Sequence, residues 1–189
     1  MQPLIILLAA PSGTGKSTMA KRLLEDFPNL KFSISATTRP PRNCESHKTD
    51  YYYLSMDEFQ QKIDDGDFIE WEEFYGGTRY GTLRSELVKN TKKGYFNLLD
   101  VDVKGAVRIK SLFNERCLAL FLRPKSLEIL EERLRNRNTE SESSLKLRIE
   151  RAEEELGYAI HFDNIITNDN LDKAYSELKD VVQTFINSY

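Results

Sequence analysis

Residues 4–18, LIILLAAPSGTGKST, restrict the fold of this chain more than any other segment. LIILLAA is a short, continuously apolar run, the mark of a strand buried on both faces of a parallel sheet. Gly13 and Gly15 follow, and then Met19, Leu23, Leu24 and Phe27 recur at helical spacing until FPN ends the helix. Strand, glycine loop and helix, in that order, are the context of a phosphate-binding loop. Such a loop turns backbone N–H groups toward phosphate at the positive end of a helix. Gly13 and Gly15 let the chain turn inward without a Cβ in the way. Lys16 brings a point charge to β- and γ-phosphates, and Ser17 a hydroxyl for Mg²⁺. The pattern G-x-x-x-x-G-K-[ST] asks for glycine where this chain has Ala10, so a methyl has to be tolerated where strand becomes loop. The competing reading is an ordinary strand–helix turn with a chance lysine.

The rest of the chain alternates strands and helices. YFNLLDVD is a strand ending in carboxylates, followed by a helix over 103–112. CLALFL is another buried strand, stopped at Pro124. Two charged helices over 127–137 and 143–158 come next, then the short strand NIITN. Leu171, Ala174, Leu178, Val181, Val182, Phe185 and Ile186 form the apolar stripe of a last helix, read as core in preference to a dimer face. The pattern predicts an α/β fold with a mainly parallel sheet. The middle differs: SISATTRPPR is broken by Pro40 and Pro41, and DYYYLS and DFIEWEEFYG are aromatic-rich strand candidates around a short helix over 56–63. A small, mostly β insertion over 35–87 is expected there.

With 189 residues the chain has room for one domain with small insertions. A formal charge of −3 argues against a general nucleic-acid coat but leaves room for a nucleotide held by a few arginines. Residues 4–10 are too short for a membrane span and lack a basic segment in front. Cys44 and Cys117 fit no metal spacing and read as free thiols of a reducing compartment, so the expected location is the cytoplasm.

A phosphate loop does not name a reaction; the second substrate has to be found elsewhere. Arg39 and Arg42 bracket the stiff Pro-Pro pair, which suits bidentate phosphate binding as well as it suits a solvated basic loop. Tyr51 and Tyr80 add hydroxyls for the same phosphate, whereas Tyr52 and Tyr53 read as buried strand aromatics. Glu70 interrupts FIEW: Phe68 and Glu70 share one strand face, Ile69 and Trp71 the other. That carboxylate either faces solvent or is placed in a pocket. In a pocket it would accept from the N1–H and N2 amino donors of guanine, where adenine offers an acceptor at N1. Asp100, at the end of its strand, is placed to order Mg²⁺ and its waters, while Asp102 reads better as a helix N-cap. Arg133 and Arg137 share a helix face and Arg148 lies on the next helix. The three are either plain surface charge or a clamp on a transferring phosphoryl group.

These pieces, in this order, resemble the guanylate kinase family, bacterial type, across essentially the whole chain. APSGTGKS, SATTRPPR, DYYYL, FIEW, RYGT, LLDVDVKGA, RNRNTES and ITNDNLDKAY carry the resemblance. Bacterial members commonly have Ala-Pro-Ser-Gly at the loop's start, which accounts for Ala10. The resemblance implies a P-loop nucleoside monophosphate kinase fold: a core of residues 1–34, 88–125 and 159–189, a GMP-binding domain over 35–87 and a helical lid over 126–158. It implies ATP on Ala10, Pro11, Ser12, Gly13, Thr14, Gly15, Lys16, Ser17 and Thr18, with Arg133 at its phosphates and Asn168 near its adenine. Ser35, Glu70 and Thr82 would read guanine with Asp102 nearby, and Arg39, Arg42, Tyr51 and Tyr80 would hold the GMP phosphate. Arg133, Arg137 and Arg148 would close over the phosphates, with Mg²⁺ at Ser17 and Asp100. The implied activity is phosphoryl transfer from ATP to GMP or dGMP by a monomer or homodimer. The alternatives are a non-catalytic protein-binding module of the same fold and a kinase for another mononucleotide.

Overall fold

The computed structural model describes residues 2–42, 45–135 and 142–189, with Tyr75 and residues 142–144 described by backbone alone. The chain divides into two compact units, one of Asn29–Leu99 with the residues up to Ile5, the other of Ile6–Pro28 with Asp100–Tyr189.

The opening strand, β1 (Ile5–Ala9), is fully buried and belongs to the second unit from Ile6 on, as does α1 (Lys16–Asp26). Ala10 closes the buried run at 8% exposure. Between them Gly13 and Gly15 sit at φ +92° and +93°, the left-handed region in which a Cβ is strained. Among the described residues only Lys48 and Asn114 are non-glycines at positive φ. Ala10 therefore keeps an ordinary backbone, which is why alanine can replace the motif's first glycine. The unit continues through α4 (Val103–Phe113), β8 (Cys117–Arg123), α5 (Leu127–Arg135), α6 (Glu142–Leu156), β9 (Asn164–Thr167) and α7 (Leu171–Asn187). Within it β1, β8 and β9 are neighbours, β8 and β9 parallel with Leu120 opposite Asn164. Ala174, Leu178 and Val182 of the α7 stripe are buried, with Tyr175 beside them, so the middle of the stripe is core, whereas Leu171 is exposed. Leu130 and Leu134 of α5 pack with Leu145 and Ala152 of α6. None of the described helices is long and apolar enough to cross a membrane.

In the first unit β2 (Leu30–Phe32) pairs in parallel with Phe96, Asn97 and Leu98 of β7 (Phe96–Asp100), whose last residue belongs to the second unit. A second sheet has the order β4-β3-β6-β5, from β3 (Ala36–Thr37), β4 (Tyr52–Tyr53), β5 (Phe68–Glu73) and β6 (Arg79–Leu83). Helices α2 (Met56–Asp64) and α3 (Arg84–Lys92) belong to the same unit. A capping box between Ser55 and Glu58 starts α2, and its Phe59 stacks on Phe68 at 4.4 Å between ring centroids. These rings, with Ala36 and Leu83, make a small separate core. DYYYLS yields only a two-residue strand, and the irregular FYGG turn is explained by Gly76 and Gly77 at φ +80° and +76°.

Candidate active site

The phosphate loop is held from three sides within its own unit. Gly15 N-caps α1 with no side-chain cap, which leaves the first N–H groups of that helix for an anion. Thr14, 1% exposed, turns the loop by donating its hydroxyl to the Pro11 carbonyl. The Asn168 amide, 4% exposed, donates to the Thr14 carbonyl at 2.7 Å. A Cβ on Gly15 would come within 2.8 Å of that same Asn168 nitrogen, and one on Gly13 within 3.0 Å of Leu134. Both glycines are needed for close approach as well as for φ. Gly15→Ala is therefore expected to destabilise the fold by about 1–3 kcal/mol, several degrees in thermal midpoint. Ala10→Gly, at an ordinary φ, is the matched control.

Lys16 Nζ donates to the Val101 carbonyl at 3.0 Å and is ion-paired with Asp100, both side chains about one-fifth exposed. The structure thus brings Lys16 and Asp100 together across a wide gap in sequence. Asp102 caps α4 by accepting from Gly105 N at 2.8 Å, as its position in the sequence suggested. Arg133 Nη2 donates to the Asn168 carbonyl at 3.2 Å and Arg148 Nη1 to Ser12 Oγ at 3.0 Å, so both arginines reach segments at the loop. Arg137, like Cys44, lies outside the described residues. Ser17 and Thr18 are exposed on the first turn of α1.

Sequence reasoning passed over Glu155. In RAEEEL it reads as one more solvated acid, yet it is mostly buried, ion-paired with Arg151 at 2.8 Å and close enough to feel the charges of Lys16 and Asp102. Burial raises its carboxyl above the usual range against the pull of Arg151.

In the first unit Glu70 lies on the buried face with Phe68, at 8% exposure, and Trp71 faces out. The register opposes Glu70 to Thr82 after an irregularity at Phe68/Glu70, and the buried Thr82 hydroxyl donates to Glu70 Oε1 at 2.7 Å. Gly81 keeps this approach open: its Cβ would lie 2.8 Å from the Phe68 ring and 3.0 Å from the Glu70 carbonyl. Of the two positions the sequence allowed, the carboxylate takes the inward one. Ser35 is half-buried, and its carbonyl accepts from Tyr52 N at 2.9 Å.

Arg39 and Tyr80 meet directly, Nε donating to the phenol oxygen at 3.2 Å, and the Tyr51 ring lies edge-on to Tyr80 at 6.0 Å. Arg42 is exposed, with its backbone N–H donating to Glu45 at 2.7 Å. Tyr52 and Tyr53 are more than buried aromatics: both are half-buried, Tyr52 donating to Glu86 at 2.6 Å and Tyr53 to Glu45 at 2.8 Å. Burial and the Glu86 carboxylate together push the Tyr52 phenol up to about 12. Glu45 is a second residue that sequence reasoning missed. The available signal was an acid three positions after Arg42 on a proline-stiffened loop.

A sequence model described as Guanylate kinase matches residues 1–185. The chain belongs to the guanylate kinase family. It is 46% identical over 184 residues to a guanylate kinase of Chlorobium luteolum, covering 97% of this chain and 93% of that protein. A guanylate kinase of Salinibacter ruber is 45% identical over 184 residues, covering 97% of each. Among solved structures, the crystal structure of guanylate kinase from Anaplasma phagocytophilum superposes with a TM-score of 0.77 at 29% identity, covering 97% of this chain and 86% of that one. The activity is that of guanylate kinases, transfer of the γ-phosphoryl group of ATP to GMP, with ATP and GMP as small-molecule substrates and a divalent metal accompanying ATP. The P-loop kinase fold expected from the sequence is the fold found, and neither the binding-module nor the other-nucleotide alternative is favoured.

Proposed function

We propose that the transfer runs through the residues assigned from the sequence. Ala10–Thr18, with Arg133 and Asn168, take ATP. Ser35, Glu70 and Thr82 read guanine with Asp102 nearby, and Arg39, Arg42, Tyr51 and Tyr80 hold the GMP phosphate. Residues 35–87 serve as the acceptor domain and 126–158 as a lid whose Arg137 and Arg148 close over the phosphates. An oxygen of the GMP phosphate attacks the γ-phosphorus in line, and the bridging oxygen leaves with ADP. The acceptor is already an anion, so no strong base is needed, and no covalent enzyme intermediate forms. Lys16 and the arginines act by position and charge, and closure keeps water from the γ-phosphoryl group.

Mg²⁺ would be held with ATP at Ser17 and Asp100, and would supply neutralisation of phosphate charge. The chain's residues fit it. Ser17 and Asp100 are hard oxygen donors, the kind of ligand Mg²⁺ takes beside phosphates and water. A cytoplasmic location is supported by Cys117, a buried free thiol. A monomer or homodimer acting on GMP and dGMP completes the reading.

The observation that carries it is Glu70, a buried carboxylate on Thr82, an acceptor pair suited to guanine and hostile to adenine. The test is ADP release with Mg-ATP and GMP, dGMP, AMP, UMP or CMP. GMP should lead, dGMP should follow, and AMP should trail in kcat/KM by about a hundredfold or more. AMP outpacing GMP would remove the base-reading assignment.

A further inference from the structure

Four donors converge on one carboxylate in the acceptor unit. Glu45 Oε2 accepts from Arg39 Nη1 at 2.9 Å, Arg42 N at 2.7 Å and Tyr53 Oη at 2.8 Å, and Oε1 accepts from Arg39 Nη2 at 3.1 Å. Glu45 N also donates to the Arg42 carbonyl at 3.0 Å. The Arg39 and Glu45 side chains are 15% and 22% exposed. Seen from Arg39, the result is nearly complete engagement. A guanidinium has five N–H bonds. Nε is used on Tyr80 at 3.2 Å, Nη1 on the Pro40 carbonyl at 2.8 Å and on Glu45, and Nη2 on Glu45. One N–H on Nη2 is left over among the described residues. The Tyr80 oxygen, having accepted from Nε, keeps its own proton to donate.

We propose that Glu45 is a positioning residue for the acceptor phosphate, locking Arg39 in one orientation so that its remaining N–H and the Tyr80 hydroxyl are set before GMP arrives. The inference rests on the assignment of Arg39 and Tyr80 to the GMP phosphate. Its physical basis is preorganisation. A free arginine has many rotamers to lose on binding, and a clamp already fixed by a bidentate carboxylate loses few. Glu45 remains ionised throughout the working range, because the hydrogen-bonded Arg39 guanidinium holds its carboxyl at about 2. Tyr53 is part of the device, since its hydroxyl fixes the carboxylate that fixes the arginine.

Steady-state kinetics on Glu45→Gln, Glu45→Asp, Tyr53→Phe, Arg39→Ala and the Arg39→Ala/Glu45→Gln double variant test this, with isothermal titration of GMP in parallel. Glu45→Gln should raise the KM for GMP about tenfold while the KM for ATP stays within about twofold. Glu45→Asp should recover part of the loss, and Tyr53→Phe should cost about two- to threefold. In the Arg39→Ala background Glu45→Gln should have no further effect, since its action passes through that side chain. A lower KM for GMP in Glu45→Gln would mean that the carboxylate competes with substrate, which overturns the proposal. So would an unchanged KM, or a parallel rise in both KM values with loss of thermal stability. Should Glu45→Gln not fold, Tyr53→Phe decides by the same split, and no change there overturns it as well. If Arg39→Ala leaves GMP binding intact, the phosphate assignment itself has failed. If it weakens GMP binding but Glu45→Gln does not, only the role of Glu45 has.

Discussion

Lys16→Ala is expected to lower kcat by about a thousandfold, the scale of losing one preorganised donor at a site of developing charge. The lysine sits between the Val101 carbonyl and the Asp100 carboxylate. Its ammonium has three donors, so it can hold both groups and still offer one to a phosphate. Removing it takes away that donor and also leaves the Asp100 carboxylate without its counter-charge, which on the proposed assignment would repel ATP. Turnover and ATP affinity should therefore both fall. Lys16→Met, which keeps most of the stem, separates charge from packing and should be as inactive as alanine. Single-turnover rates with the circular-dichroism melt as control provide the measurement. A residual rate within about tenfold of the parent would remove Lys16 from the phosphoryl-transfer machinery.

Glu70→Gln is expected to cut the preference for GMP over AMP in kcat/KM by about a hundredfold, chiefly through GMP. The substitution keeps the shape but exchanges one carboxylate oxygen for an amino group. That group points a donor at the N1–H and N2 donors of guanine, while adenine offers an acceptor at N1. On the proposed assignment Thr82 would tighten the discrimination, since its hydroxyl already occupies Oε1 at 2.7 Å and fixes the plane of the carboxylate. The site is buried, so a mismatched pair cannot be repaired cheaply by water. Comparing kcat/KM for GMP, dGMP and AMP across wild type and variant gives the result, and an unchanged ratio would mean that another residue reads the base.

The two sites differed in how far they could be read in advance. LIILLAAPSGTGKST disclosed its strand, loop and helix because the signals are local: a buried run, two glycines and a helical stripe, each acting within a few residues. The α7 stripe was legible for the same reason. The two faces of FIEW were legible as well, since strand alternation puts Glu70 with Phe68 whatever lies around them. Which face is inside was not, because that depends on Phe59 arriving from α2 to stack on Phe68.

Glu45 and Glu155 were missed on the same ground. Each is an acid in a polar stretch; nothing near Glu155 marks it as different from a solvated one, and the spacing of Glu45 from Arg42 on a proline-stiffened loop is a weak mark. Glu45 becomes a four-donor acceptor only when the loop folds back on Arg39, Arg42 and Tyr53. Glu155 becomes buried only when α6 takes its place in the unit.

The sequence by itself determined the phosphate loop, the alternation of strands and helices, the identities of the arginines and tyrosines, and through their order the family. Those are properties of short segments, set by side-chain shape, backbone freedom and periodicity. Only the tertiary structure decided that Asp100 pairs with Lys16, that Asn168 braces the loop at Thr14, that Glu70 faces inward onto Thr82 and that Glu45 holds Arg39. Such contacts join residues far apart in the chain or fix one side chain among many rotamers. Their energies depend on burial and on distances of about 3 Å, which no local pattern encodes.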